Sequence, residues 1–262
     1  MKILFVIMTV IMGFALCAED DCYIKMKDGV KLAASKLSAD ANGNITYETG
    51  ASKIKSIVRR KDYICAWIPK PDELKNADAA FKKKEFAKAL DVYHKAAEDY
   101  KYLGWNVYAM DMEAQALDGM GKKDDALKVL GELRKIEIKD PAKEDDFYYE
   151  GLRTMAKLYI NMAKYKEAED VLGDISKSKN DDYSSSALIA RGDIYLKQGK
   201  PKDAVLEYLQ VILMYPQKKK QHPEALCKIA NTLKSINDSR GSVYADKLRK
   251  EFPGNEFISQ LK

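Results

Sequence analysis

The sequence predicts a mainly α-helical protein: an α-solenoid of about five helical hairpins over residues 70–262, preceded by a small all-β module over residues 19–69. Three observations carry this prediction. From Pro69 onward, apolar residues recur every three or four positions in paired segments, the period of amphipathic helices. Between Cys22 and Ile68 the period is instead alternating, interrupted at Asp28-Gly29 and Asn42-Gly43, both hairpin signals. Finally, an alanine recurs at Ala89, Ala126, Ala168 and Ala204, at separations of 37, 42 and 36 residues, so the helical part is built of repeats.

Taken in order, the first eighteen residues carry one Lys, a run of about fourteen apolar residues and then small residues ahead of Glu19-Asp20-Asp21. This layout predicts a cleaved export signal over residues 1–18, too short for a membrane span, with Leu16-Cys17-Ala18 as the cleavage site. Cys17 permits a second reading as a lipid anchor. Leu16 stands where a lipidation signal needs a small residue, so a periplasmic or secreted chain is the expectation. Export admits disulfides. Cys22 and Cys65 fall in the first and last strand-like segments, where a small sheet would bring them to bonding distance, whereas Cys227 shares a helical stripe with Ala230 and reads as a buried small hydrophobe.

The β module reads as about five short strands: Cys22 to Lys27, Val30 to Ala39, Ile45 to Thr49, Lys53 to Val58 and Lys61 to Ile68. So many strands in so few residues predict an SH3-like or open barrel closed around a single core. Lys27-Asp28-Gly29 and the alternation resemble the short β modules that begin some exported bacterial repeat proteins. Pro69-Lys70-Pro71 is a stiff linker into Asp72, a helix cap.

Within the helical part, residues 187–216 are the most legible. Leu188, Gly192 and Tyr195 share one stripe, and Ala204, Tyr208 and Val211 another, on either side of a Gly199-Lys200-Pro201 turn; Pro216 closes the unit. The small residue, the Tyr three later, the Ala twelve later, the aromatic four beyond and the final Pro resemble the tetratricopeptide repeat, with Leu188 where that pattern prefers Trp and Arg191 where it prefers Leu. First-helix small residues keep the register at Ala77, Ala114, Ala156, Gly192 and Ala230. The fifth unit offers Gly241 or Ser242 where Ala is expected. A single unit cannot bury its own apolar faces, so the hairpins must stack.

Catalytic machinery is not legible. At 262 residues, 46% hydrophobic and 32% charged, the chain can bury a sizeable core, and its 45 basic and 40 acidic residues are interspersed, giving a net charge of +5 without the basic patch that nucleic acid requires. His94 and His222 lack metal-ligand partners at helical or strand spacing and read as surface residues. Gly119-Met120-Gly121-Lys122 is a turn rather than a phosphate loop, and the acidic pairs Asp124-Asp125, Asp145-Asp146 and Asp181-Asp182 read as helix starts. The expectation is a chain that is not an enzyme, with no cofactor and no metal.

The repeat resemblance implies that partners bind on the surface lined by first helices. Its inner-face register selects Tyr108, Asp111, Gln115 and Asp118 in the second unit, Arg153, Lys157 and Asn161 in the third, Asp193 and Lys197 in the fourth, and Asn231 and Lys234 in the fifth. These would form an acidic half followed by a mostly basic half, with Tyr108 as an aromatic anchor. Residues 223–255, closing on Glu251-Phe252-Pro253-Gly254-Asn255, resemble the final repeats of periplasmic proteins associated with the Tol-Pal system and of outer-membrane-assembly lipoproteins. The functional expectation is an adaptor of the bacterial cell envelope that binds a protein or peptide partner. The alternative is a cell-wall-polymer or ligand-binding protein, or part of an envelope enzyme system, whose β module binds while the repeats act as scaffold.

Overall fold

The computed structural model describes residues 22–49, 54–137, 144–216 and 221–262. The export segment and Cys17 lie outside them. The chain divides into two compact units, one running to Asp72 and taking in Tyr102–Gly104, the other comprising Glu73–Lys101 and Trp105–Lys262.

The first unit holds six strands, β1 (Tyr23–Met26), β2 (Lys31–Ala33), β3 (Lys36–Ala39), β4 (Ile45–Thr49), β5 (Ile54–Val58) and β6 (Tyr63–Trp67). They form two antiparallel sheets, ordered β2-β1-β6 and β3-β4-β5. Both expected hairpin turns are present: Gly29 and Gly43 take left-handed φ values of 90° and 77°. The single strand expected from Val30 to Ala39 is two. Ala34 N–H donates to the Cys22 carbonyl (3.0 Å) and the next residue, Ser35, donates to the Glu48 carbonyl (2.8 Å), so adjacent amides serve different sheets. Parity explains the break. Leu32 and Leu37 are five residues apart, and an unbroken strand would turn them to opposite faces. Ile24, Ile45, Tyr63 and Ala66 are buried in this unit, and Tyr63 donates its hydroxyl to the Gly43 carbonyl (2.6 Å).

The expected juxtaposition of Cys22 and Cys65 does not occur. In the β1–β6 register Lys25 stands opposite Cys65 and Tyr23 opposite Trp67. Cys22 is thus offset from Cys65 by three positions, roughly 10 Å along the strand. An odd offset also turns the two side chains to opposite faces, and neither condition suits a disulfide.

The second unit is ten helices in five hairpins: α1 (Asp72–Lys82) with α2 (Phe86–Asp99), α3 (Asn106–Gly119) with α4 (Lys123–Arg134), α5 (Glu144–Asn161) with α6 (Tyr165–Ile175), α7 (Asp181–Lys197) with α8 (Pro201–Met214), and α9 (Gln221–Ser235) with α10 (Arg240–Glu251). A 3-10 turn over Glu256–Gln260 follows. The repeat register is borne out residue by residue. Ala89, Ala126, Ala168 and Ala204 are all fully buried, and the first-helix line of Ala77, Ala114, Ala156, Gly192 and Ala230 is buried as well. A Cβ on Gly192 would lie 2.3 Å from the Tyr208 ring. In the fifth hairpin the small position is Gly241, where a Cβ would meet the Ala230 carbonyl at 2.9 Å; Ser242 is exposed.

Every hairpin turns in the same way. Seven residues beyond each first-helix small residue comes one left-handed residue: Lys84, Gly121, Ala163, Gly199 or Asn237. The amide after it donates back into the first helix, from Glu85 to Ala80, Lys122 to Leu117, Lys164 to Tyr159, Lys200 to Tyr195 and Asp238 to Leu233, at 2.8–3.0 Å. This is the Schellman closure, which satisfies the carbonyls that a helix end would otherwise orphan. Arg191, standing where the repeat pattern prefers Leu, is accommodated by an ion pair with the buried Glu207 (3.0 Å). His222, expected on the surface, is buried: α9 already begins at Gln221, with Pro223 tolerated in its first turn, and the His222 ring lies against that of Phe252, centroids 6.4 Å apart.

Two predictions follow from this packing. Gly192→Ala should lower stability by about 1–3 kcal/mol, because overpacking against Tyr208 outweighs the roughly 1 kcal/mol that alanine gains inside a helix; Gly131→Ala, with open space around its Cβ, should show that gain alone in the same urea titration. Ala163→Gly should raise the urea midpoint, stabilising by about 0.5–1 kcal/mol through relief of a left-handed non-glycine residue.

Candidate binding trough

The first helices of the second to fifth hairpins line a trough of about 710 Å³ whose far wall is the segment Asn255–Phe257. Its apolar surface includes Ile160, Ile189, Ala190 and Phe257, and polar groups from Gln115 to Glu256 surround these. A second cavity of about 420 Å³ abuts it and shares Gln115, Thr154 and Lys157 as lining residues.

The sequence-selected positions divide by what they already hold. One position, directly after each first-helix small residue, recurs as Asp78, Gln115, Lys157, Asp193 and Asn231. In the first and fourth hairpins it is tied to the second helix: Tyr93 donates to Asp78 (2.8 Å) and Tyr208 to Asp193 (2.6 Å), both Tyr standing four residues after the buried Ala. Asp193 also receives Lys228 at 2.8 and 3.0 Å. In the second and third hairpins the tyrosine position is Leu130 or Leu172, which leaves Gln115 and Lys157 to the trough. Arg153 lies beside Lys157, paired with Glu150 (2.8 Å) one turn earlier, an exposed pair of small energetic weight. Asn161 and Lys197 are exposed at the helix ends but do not line the trough, while Asp118 lines only the smaller cavity.

Three expected contact residues serve the fold instead. Tyr108 is not a free anchor: its hydroxyl donates to Asp78 (2.7 Å), and its ring meets Trp105 and Phe147 edge-on at 5.6 and 5.2 Å. Asn231 and Lys234 hold the chain's own residues 260–262. The Asn231 amide donates to the Gln260 carbonyl and its oxygen accepts the Lys262 N–H, both at 2.9 Å, and Lys234 donates to the Lys262 carbonyl. No pattern in the sequence announces this contact, since the partners are 28–31 residues apart.

The order of charge is also the reverse of the expectation. Asp111 is only 6% exposed, so it does not contribute to an acidic second unit. The cavity beside the α1–α2 turn instead carries Lys82, Lys84 and Lys157 against Asp118, and the trough toward the fifth hairpin carries Glu150, Asp193, Glu224 and Glu256 against Arg153 and Lys157. The α1–α2 turn and the 3-10 segment are the contributors that a first-helix register overlooks.

Asp111 is chemically distinctive. Gln115 donates to its Oδ2 (2.8 Å), while Oδ1 is buried without a donor. Burial outweighs the opposing influence of the Thr154 hydroxyl and the Gln115 amide and pushes the carboxyl up to about 6. An unfolded aspartate titrates near 3.9, so between about pH 4 and 6 the folded chain binds the proton more tightly. Stability therefore falls as pH rises through that window, and the penalty is fully present above pH 6. Asp111→Asn should flatten this dependence, gaining up to about 3 kcal/mol over the parent at pH 7 and little at pH 4, as read from urea midpoints.

Comparison with known proteins agrees with the architecture. No protein-family model matches the chain, and no curated protein matches it in sequence. Among solved structures, the apo form of the quorum sensor NprR from B. thuringiensis is similar with a TM-score of 0.52 at 17% identity, over 72% of this chain and 56% of that one. BtubC (BKLC) from P. vanneervenii gives 0.53 at 16%, over 69% and 79% of the two chains. A tetratricopeptide repeat protein from Parabacteroides merdae gives 0.51 at 13%, over 72% and 71%. The helical unit has the tetratricopeptide-like fold, and the chain spans little more than half the length of NprR.

Proposed function

We propose that this chain is a non-enzymatic interaction scaffold that holds an extended peptide segment of a partner protein in the trough lined by α3, α5, α7 and α9. One observation carries the reading. Asn231, at the recurring position after the first-helix small residue, engages the Gln260 carbonyl at the end of the 3-10 turn and the Lys262 N–H beyond it, the sequence-independent main-chain grip by which a groove holds a peptide. Gln115 and Lys157 occupy the equivalent position in the second and third hairpins, where the trough is open, and Ile160, Ile189 and Ala190 offer apolar contact beside them. The apolar run of residues 1–18 supports an exported protein, so the partner is sought in the cell envelope.

The test is selection of random twelve-residue peptides on the purified protein, followed by affinities from fluorescence anisotropy. Replacing both Arg153 and Lys157 with Glu should weaken the selected peptides at least tenfold, while the thermal midpoint stays close to that of the parent because both side chains are exposed. Undiminished affinity in that double variant would remove the trough as the binding surface.

A further inference from the structure

We infer that the cavity between the α1–α2 turn and α5 is a carboxylate-binding subsite, so that the trough accepts its peptide in one direction, with an Asp or Glu side chain docked beside the first hairpin. The inference rests on the peptide reading above and adds to it a partner chemistry and an orientation.

The cavity gathers three ammonium groups from two separate elements, Lys82 and Lys84 from the end of α1 and its turn, and Lys157 from α5. None of the three has an ion-pair partner among the described residues. Three exposed cations nearby are instead paired within a turn, Lys88 with Glu85, Lys128 with Asp125 and Arg153 with Glu150. Asp118 is the sole acid lining the cavity, so three ammonium groups meet one carboxylate there, an excess that a bound carboxylate relieves. Lys84 reaches the cavity from the turn itself. It occupies the left-handed turn position, φ 63°, filled by Gly121, Ala163, Gly199 and Asn237 in the other hairpins, and is the only cation at that position.

The floor restricts the ligand further. Phe81 and Phe86 meet edge to face, with ring centroids 5.2 Å apart, and Leu158 lines the same space. A free anion gains nothing from those rings, whereas an acidic residue flanked by a large apolar one uses both the ammonium groups and the apolar walls. At the opposite end of the trough, Glu224 and Glu256 stand where a basic residue of the same peptide would lie. The peptide therefore runs from an acidic, apolar segment beside the first hairpin to a basic segment beside residues 255–257.

Peptides selected on the parent protein should be enriched in Asp or Glu next to a large apolar residue at one end and in Lys or Arg at the other. The diagnostic variant is Lys82→Glu with Lys84→Asn, asparagine being at home in the left-handed conformation; both side chains are exposed, so the thermal midpoint should hold. It should weaken the selected peptides at least tenfold. Changing the peptide's acidic residue to its amide should cost the parent a similar factor and cost the variant little more, the signature of a direct pair. If the Lys82/Lys84 variant binds as tightly as the parent while the Arg153/Lys157 variant does not, the subsite is wrong and the trough stands. If neither variant loses affinity, the trough reading falls and the subsite falls with it.

Discussion

The helical unit depends on one steric constraint, the close approach of two helices at a single small residue in each hairpin. Where that residue is Gly192, the Tyr208 ring occupies the volume a methyl group would need; where it is Ala114 or Ala156, it is buried in one apolar cluster with Ala126 and Ala168 of the second helices. Close approach fixes the angle between the paired helices, and with it the faces they turn to the next hairpin. The uniform turn closure follows from the same constraint. A hairpin whose helices must meet at one point tolerates little variation in its connection, which is why Lys84, Ala163 and Asn237 adopt a left-handed backbone that three non-glycine residues would not choose locally.

A second consequence concerns which trough positions are available. The position after each small residue points toward the shared surface, yet the second helix competes for it whenever it carries a tyrosine four residues after its buried alanine. Tyr93 and Tyr208 claim Asp78 and Asp193 in this way, and the buried hydroxyls gain acceptors they would otherwise lack. Leu130 and Leu172 make no such demand, so Gln115 and Lys157 remain at the trough. Core chemistry in the second helix thereby decides surface chemistry on the first.

The repeat register was legible because periodic burial of small and apolar residues is a local signal, and Gly192, Ala204 and Tyr208 sit where the pattern placed them. Long-range pairing was not. The strand break at Ala34-Ser35 follows from a parity mismatch between Leu32 and Leu37 that alternation over a short run conceals, and the separation of Cys22 from Cys65 follows from a register that only the β1–β6 pairing reveals. The trough was half legible. Arg153 and Lys157 lie on it as the register implied, whereas Tyr108 and Asp111 were absorbed by neighbours, and the lysines of the α1–α2 turn lie outside any first-helix register.

Residues 256–262 have a meaning beyond the wall they provide. Phe257, Ile258 and Leu261 pack on Leu226, Cys227 and Leu248, the apolar face that a sixth hairpin would otherwise cover. A stacked array behaves nearly as a one-dimensional chain, in which a terminal unit has one neighbour where an internal unit has two and so frays first. Tied through Asn231 and Lys234 to α9, the segment supplies the missing neighbour. The fifth hairpin thereby receives on its outer face the apolar contact that an internal hairpin receives from its neighbour, and the trough wall at Asn255–Phe257 belongs to the same anchored segment.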